Sequence, residues 1–170
     1  MIKNFYKLPA AALFLMGLLC VVPPAYGQKK LFILVRHAEK AEDAGNDPEL
    51  TTAGSERARR LAKIIGKYRP GAVYSTAFRR TRSTAAPAAS LRRLQVQTYD
   101  AKKPEDLIRD LIGSKTKRFL IVGHSNTIPG LANLLTGKEL FKNLEDDEYG
   151  TIFLIRYKDG KFSRLEILKY

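Results

Sequence analysis

Two histidines, His37 and His124, are the only imidazoles in the 170-residue chain. Each closes an apolar run: Val35-Arg36-His37 follows the stretch from Lys30, and Val122-Gly123-His124 follows the stretch from Arg118. A single histidine after a strand is ordinarily a loop residue, but two at equivalent positions suggest one site. Arg36 stands beside the first, and a planar guanidinium can hold two oxygens of one phosphate. A second basic cluster, Arg79, Arg80 and Arg82, follows the short apolar run Ala72 to Ser75. Arg79 and Arg82 suit a solvated helix face, and the site requires one arginine of the three to turn inward. Imidazoles and guanidiniums together suit the capture of a phosphate anion.

The rest of the chain must bring these residues together. Lys30 to Val35 and Arg118 to Val122 are continuous apolar runs of the kind that strands buried on both faces require. Between them, Thr52 to Tyr68 carries Ala53, Ala58, Leu61, Ala62, Ile64 and Ile65 at helical spacing. Helices are also expected from about Arg79 to Leu91, over Pro104 to Ile112 with proline in the first turn, and over Ile128 to Leu135. Leu94 to Thr98 is expected as a third strand. Thr151 to Tyr157 and Lys161 to Leu168 flank Asp159-Gly160, a hairpin signal. The alternation predicts a three-layer α/β/α sandwich with a mostly parallel central sheet and a C-terminal antiparallel hairpin. In such sheets the ligand crevice lies beyond the carboxyl ends of the strands, where both histidines fall. Free amides at the N-terminus of the helix after His124 would also face an anion there.

The first 27 residues read as a secretory signal, or if uncleaved an N-terminal anchor, rather than part of the fold. Lys3 and Lys7 precede the nearly unbroken apolar run Ala10 to Val22, and Pro23-Pro24 break it before Ala25-Tyr26-Gly27, a small-residue cleavage pattern. Residues 28–170 are then one exported domain, periplasmic or extracellular, with no stable membrane span after cleavage. The single cysteine, Cys20, falls inside the signal, which excludes disulfides and thiolate sites from the remainder. The chain's formal charge of +13 loses only Lys3 and Lys7 on cleavage, and so favours anionic partners. The basic residues are scattered along the sequence, and no aromatic-rich RNA-binding signature accompanies them, so nucleic acid is not expected.

Three strings carry a family resemblance: LVRHAEK at Leu34 to Lys40, STAFRRTRSTA at Ser75 to Ala85, and VGHSN at Val122 to Asn126. In order and spacing they resemble the motifs of the histidine phosphatase superfamily, the phosphoglycerate mutase-like group. Asp47 to Lys63 resembles the same family's segment in which a leucine and a threonine precede a helix-opening glycine. The resemblance implies that His37 is the nucleophile and Arg36 its phosphate-binding neighbour. It selects Arg80, four residues before Thr84-Ala85, as the second arginine, and His124 as the second pocket histidine. Asn126 and Glu39 become candidate substrate contacts. Asp100, Glu105 and Glu39 are candidates for the general acid, Asp100 foremost.

The implied chemistry needs neither metal nor cofactor: a small phosphorylated substrate passes its phosphoryl group to His37, and water then removes it. The segment between the arginine motif and His124 is short beside that of the mutases, which points to hydrolysis. Ala38 stands where the family usually has glycine. Other readings are a phosphohistidine protein phosphatase, a non-catalytic phosphate or polyanion binder of the same fold, and an envelope scaffold using its basic surface.

Overall fold

The computed structural model describes residues 29–42 and 45–170. The expected signal segment and its cleavage point lie outside the described residues. Six strands and four helices follow one another as β1 (Lys29–Arg36), α1 (Thr52–Gly66), β2 (Ala72–Ser75), α2 (Arg79–Leu91), β3 (Val96–Thr98), α3 (Pro104–Gly113), β4 (Arg118–Gly123), α4 (Thr127–Thr136), β5 (Thr151–Lys158) and β6 (Lys161–Lys169). The strands form one sheet in the order β3-β2-β4-β1-β5-β6. The first four are parallel, β5 runs antiparallel to β1, and β6 antiparallel to β5.

Alternation along β1 separates the two faces of the sheet, because successive side chains of a strand point opposite ways. Leu31, Ile33 and Val35 pack with Leu61, Ala62 and Ile65 of α1 and Ala85, Ala88 and Ala89 of α2. Phe32 and Leu34 pack on the other side with Leu107 and Leu111 of α3 and Ile128, Leu131 and Leu135 of α4. Helices thus cover both faces, as the sequence pattern predicts for a three-layer sandwich. Asp159 and Gly160 both take positive φ, 53° and 75°, the conformation a tight two-residue hairpin turn requires. Strand β3 is shorter than its apolar pattern suggests. Arg93 adopts φ 52°, and Leu94 N–H bonds back to the Ala89 carbonyl, so Leu94 finishes α2 instead of starting the strand.

Two close approaches fix the segments that carry the histidines. A Cβ on Gly54, in the first turn of α1, would stand 2.3 Å from the Glu39 carbonyl oxygen. The glycine therefore lets α1 lie directly on the chain leaving β1, where Thr51 N–H donates to that same carbonyl. A Cβ on Gly123 would meet Thr127 Oγ1 and Tyr99 OH at 2.7 Å and Ile128 Cδ1 at 2.9 Å. Gly123→Ala is expected to cost about 1–3 kcal/mol by overpacking, read as a lower denaturant midpoint, whereas Gly66→Ala, with open space around its Cβ, should not lower it.

Candidate active site

Parallel pairing of the two central strands brings the histidines together. Arg36 lies opposite Gly123 in the register, and His37 N–H donates to the Gly123 carbonyl at 2.9 Å. The next residue on each chain is then a histidine at the carboxyl edge of the sheet. The two ring centroids are 5.4 Å apart, inclined at 66°. His37 is almost fully buried, at 3% exposure, while His124 is partly exposed.

Hydrogen bonds select the tautomer of each ring. His37 Nδ1 lies 2.8 Å from the Ala38 carbonyl oxygen. A carbonyl can only accept, so Nδ1 carries the hydrogen, and Nε2 of the neutral ring keeps its lone pair. Ala38 is itself held by its N–H donating to Thr84 Oγ1 at 2.9 Å, and Thr84 donates on to the Arg80 carbonyl at 2.8 Å. The Ala38 methyl is fully buried and does not displace this arrangement. His124 Nε2 lies 3.0 Å from Thr76 Oγ1, Thr76 Oγ1 lies 2.8 Å from Thr81 Oγ1, and Thr81 donates to the Phe78 carbonyl at 2.8 Å. With Thr81 spending its one hydrogen on that carbonyl, it accepts from Thr76, and Thr76 in turn accepts from His124. This leaves Nδ1 of the neutral His124 without a hydrogen.

The guanidiniums of Arg36 and Arg80 complete the cluster. Arg36 is buried, and its Nη1 donates to the carbonyls of Glu145 at 2.5 Å and Glu148 at 3.2 Å. Tyr149 stacks on it at 4.2 Å and stands 6.0 Å from the His37 ring. Arg80 lies 4.3 Å from the Phe78 ring, which also meets His124 edge-on at 5.2 Å, and its Nη1 is 3.8 Å from Asp47. The Nε atoms of both arginines are buried without a hydrogen-bond partner among the described residues. Buried donors left unpaired cost free energy, and an oxyanion is the acceptor that two guanidiniums fit best. Arg79 and Arg82 turn outward into solvent, Arg79 pairing with Glu49.

Burial and positive neighbours keep both imidazoles neutral. For His37, desolvation is the largest cause, opposed by the Ala38 carbonyl and reinforced by His124, Arg36 and Arg80, and it holds the ring's pKa at about 4. Desolvation, Arg80 and Arg36 likewise hold His124 at about 4. Burial also lowers Arg80, against the pull of Asp47.

Four of the residues singled out in sequence, Arg36, His37, Arg80 and His124, therefore meet. The others form no side-chain hydrogen bond or ion pair with these four. Asp100 is exposed, its Oδ1 accepting from Lys102 N–H at 2.9 Å, and it lines a cleft with Tyr74 and Leu111. Glu105 lies in the first turn of α3. Glu39 is clamped by Arg57, whose Nε and Nη2 reach its carboxylate at 2.6 to 2.9 Å, and this contact depresses its pKa. Asn126 lines a cleft of about 320 Å³ with Tyr99 and Pro104. Sequence reading missed Asp47, Thr76, Thr81, Phe78 and Tyr149. Thr76, Phe78 and Thr81 lie inside the second motif and could have been weighed there, whereas nothing marks Tyr149.

The family model for the histidine phosphatase superfamily (branch 1) matches residues 32–101. That span holds Arg36, His37 and Arg80. A mycobacterial glucosyl-3-phosphoglycerate phosphatase is similar in structure at a TM-score of 0.66 and 14% identity, covering 84% of this chain and 98% of its own. The protein histidine phosphatase SixA in complex with tungstate gives 0.68 and 16%, covering 82% and 96%. A protein described as mycobacterial hydrolase 1 gives 0.65 and 14%, covering 84% and 99%. No curated protein matches the sequence. The family match is confined to residues 32–101, and the solved structures, each under 25% identical, share the fold of this chain.

The two rings tie stability to pH with a definite sign. Burial and the neighbouring cations hold each ring at about 4 when folded, against the ordinary imidazole value of 6.5, so the unfolded chain takes up protons first as pH falls. Their contribution is expected to erode between about pH 6.5 and about pH 4 and to level off below, measured by chemical denaturation across that range. Replacing both histidines by glutamine should flatten this segment of the curve.

Proposed function

We propose that the protein is a phosphatase that hydrolyses phosphomonoesters through a phosphohistidine on Nε2 of His37. The observation that supports this most is the pairing of a neutral, correctly hydrogen-bonded His37 with two guanidiniums whose buried Nε atoms have no partner among the described residues. The lone pair on Nε2 attacks phosphorus in line, the phosphorus–oxygen bond to the leaving group breaks, and the alcohol departs with a proton from a carboxylic acid. Water then attacks phosphorus, the phosphorus–nitrogen bond breaks, and the carboxylate recovers the proton. Arg36 and Arg80 meet the charge on the non-bridging oxygens, and their fixed placement is the main source of acceleration. His124 offers Nδ1 to the same anion and takes up a proton as the phosphate binds, since the anion reverses the field that keeps the ring neutral.

Both candidate acids accept a backbone N–H, Asp47 from Arg79 at 2.8 Å and Asp100 from Lys102 at 2.9 Å, and we take Asp47 as the acid because it alone also approaches one of the four clustered residues, Arg80 at 3.8 Å. We read the substrate as a small phosphorylated molecule and the enzyme as exported. The shared fold with a protein histidine phosphatase makes a phosphohistidine protein a second substrate class to assay.

His37→Ala is expected to abolish hydrolysis of p-nitrophenyl phosphate, and quenched wild-type enzyme should carry acid-labile, base-stable phosphate that this variant lacks. Turnover by His37→Ala at the wild-type rate would refute the scheme. Asp47→Asn is expected to slow hydrolysis of an alkyl phosphate about 100-fold while sparing p-nitrophenyl phosphate, whose leaving group needs no proton. The same selectivity in Asp100→Asn, with none in Asp47→Asn, would move the acid to Asp100.

A further inference from the structure

A wide cavity lies away from the histidines, at the opposite, amino edge of the sheet. It holds about 700 Å³ between the starts of β1 and β4, the end of β5 and the start of β6. Seven residues of β1 separate it from Arg36, about 23 Å at the usual rise per residue. No carboxylate lines it. Lys29, Lys117 and Lys158 reach it from three strands or their ends and are exposed, and their side-chain ammonium groups have no hydrogen bond or ion pair to another described residue. Its remaining cations are engaged. Lys30 Nζ donates to the carbonyls of Leu111, Ser114 and Thr116, Arg118 donates to the Arg69 carbonyl, and Arg156 and Arg164 share Glu166.

The register makes this concentration costly. Lys29 lies directly opposite Lys158, Lys158 opposite Lys161, and Arg156 opposite Arg164. Like charges placed directly across a sheet are destabilising, and only Glu166 and Asp159 of the adjoining turn offset them locally. The fold gains nothing from three such pairs at one edge, whereas an anion bound there would relieve them. The chain also enters the domain at this rim. Lys29 is only seven residues beyond Val22, where the apolar run Ala10 to Val22 ends. Cleavage after Gly27 would instead put the new α-ammonium of Gln28 next to Lys29.

We propose that this end of the sheet docks the protein on an anionic phospholipid surface, with phosphodiester headgroups entering the cavity between the three free lysines. Docking in this orientation turns the carboxyl edge, and with it the histidine pocket, away from the bilayer toward soluble substrate. The lysines stand apart from the histidines, so the docking face and the phosphatase chemistry fail separately.

Flotation of the full chain with vesicles of phosphatidylcholine, alone or mixed with phosphatidylglycerol, tests the proposal. Binding is expected to the mixed vesicles at low salt and to fall at high salt. Replacing Lys29, Lys117 and Lys158 together by glutamine should weaken it on the order of 100-fold. The same net change at Lys40, Lys102 and Lys103, on loops at the carboxyl edge, should leave most of it. Removing the first three lysines also removes repulsion, so thermal melting of that variant should not fall below wild type, which separates loss of docking from loss of fold. Equal partition of all three proteins, or equal binding to neutral vesicles, would assign membrane contact to the N-terminal apolar run and overturn the proposal. So would stabilisation of the wild type, but not of the Lys29/Lys117/Lys158 variant, by inorganic tripolyphosphate without any vesicle binding, which would make the cavity a site for a soluble polyanion.

Discussion

Four nitrogen-rich side chains, two of them permanently charged, are packed against one another at the end of two buried strands, and the surrounding structure has to tolerate their mutual repulsion. It does so by keeping the imidazoles uncharged. Burial and the neighbouring guanidiniums hold both rings near pKa 4, so at neutral pH only Arg36 and Arg80 carry charge. The neutral state that relieves the repulsion is also the state in which a ring nitrogen can act as a nucleophile. The tetrahedral oxyanion we propose as ligand would bring the missing negative charge and acceptors for the two buried Nε donors. Stability and reactivity thus draw on the same electrostatic arrangement.

Everything around the cluster works to hold it in that geometry. The parallel register of β1 and β4 sets the spacing of the two histidines, and Gly123 lets α4 pack close beneath it. Thr84 links the backbone at Ala38 to the first turn of α2, which fixes the arginine motif relative to His37. Glu39 takes part in this support. Its carboxylate is gripped by Arg57, which also bonds the Tyr170 carbonyl, and so ties the loop after His37 to α1 and to the last strand. On the other side the segment from Glu145 to Tyr149 lays two carbonyls and an aromatic ring on Arg36. These contacts leave that guanidinium little freedom to rotate.

Charge is distributed along the molecule in a way that local sequence does not reveal. In linear order Lys29, Lys117, Lys158 and Arg164 are far apart and read as scattered solubilising residues. The sheet gathers them at one edge, because β1 and β4 begin where β5 ends and β6 starts. The protein therefore has two basic ends of different character. One is buried, precise and built around histidine, while the other is broad, exposed and made mostly of lysine.

The elements themselves were legible from the sequence because each rests on short-range physics: continuous apolar runs for buried strands, helical spacing for α1, proline at the start of α3, and Asp-Gly at the hairpin. The departure at β3 arose because Leu94 satisfies a helix-ending hydrogen bond that its hydrophobicity does not signal. The histidines and both arginines were legible too, since residue type and place after a strand define them. Tertiary structure alone decided which carboxylates adjoin the pocket, for Asp47 approaches Arg80 across a loop while Asp100 closes a local turn. It alone decided the protonation of the rings and the stacking of Tyr149. Burial, Coulomb interactions and hydrogen-bond direction depend on distances between segments that are remote in the chain, and those distances exist only once the sheet has formed.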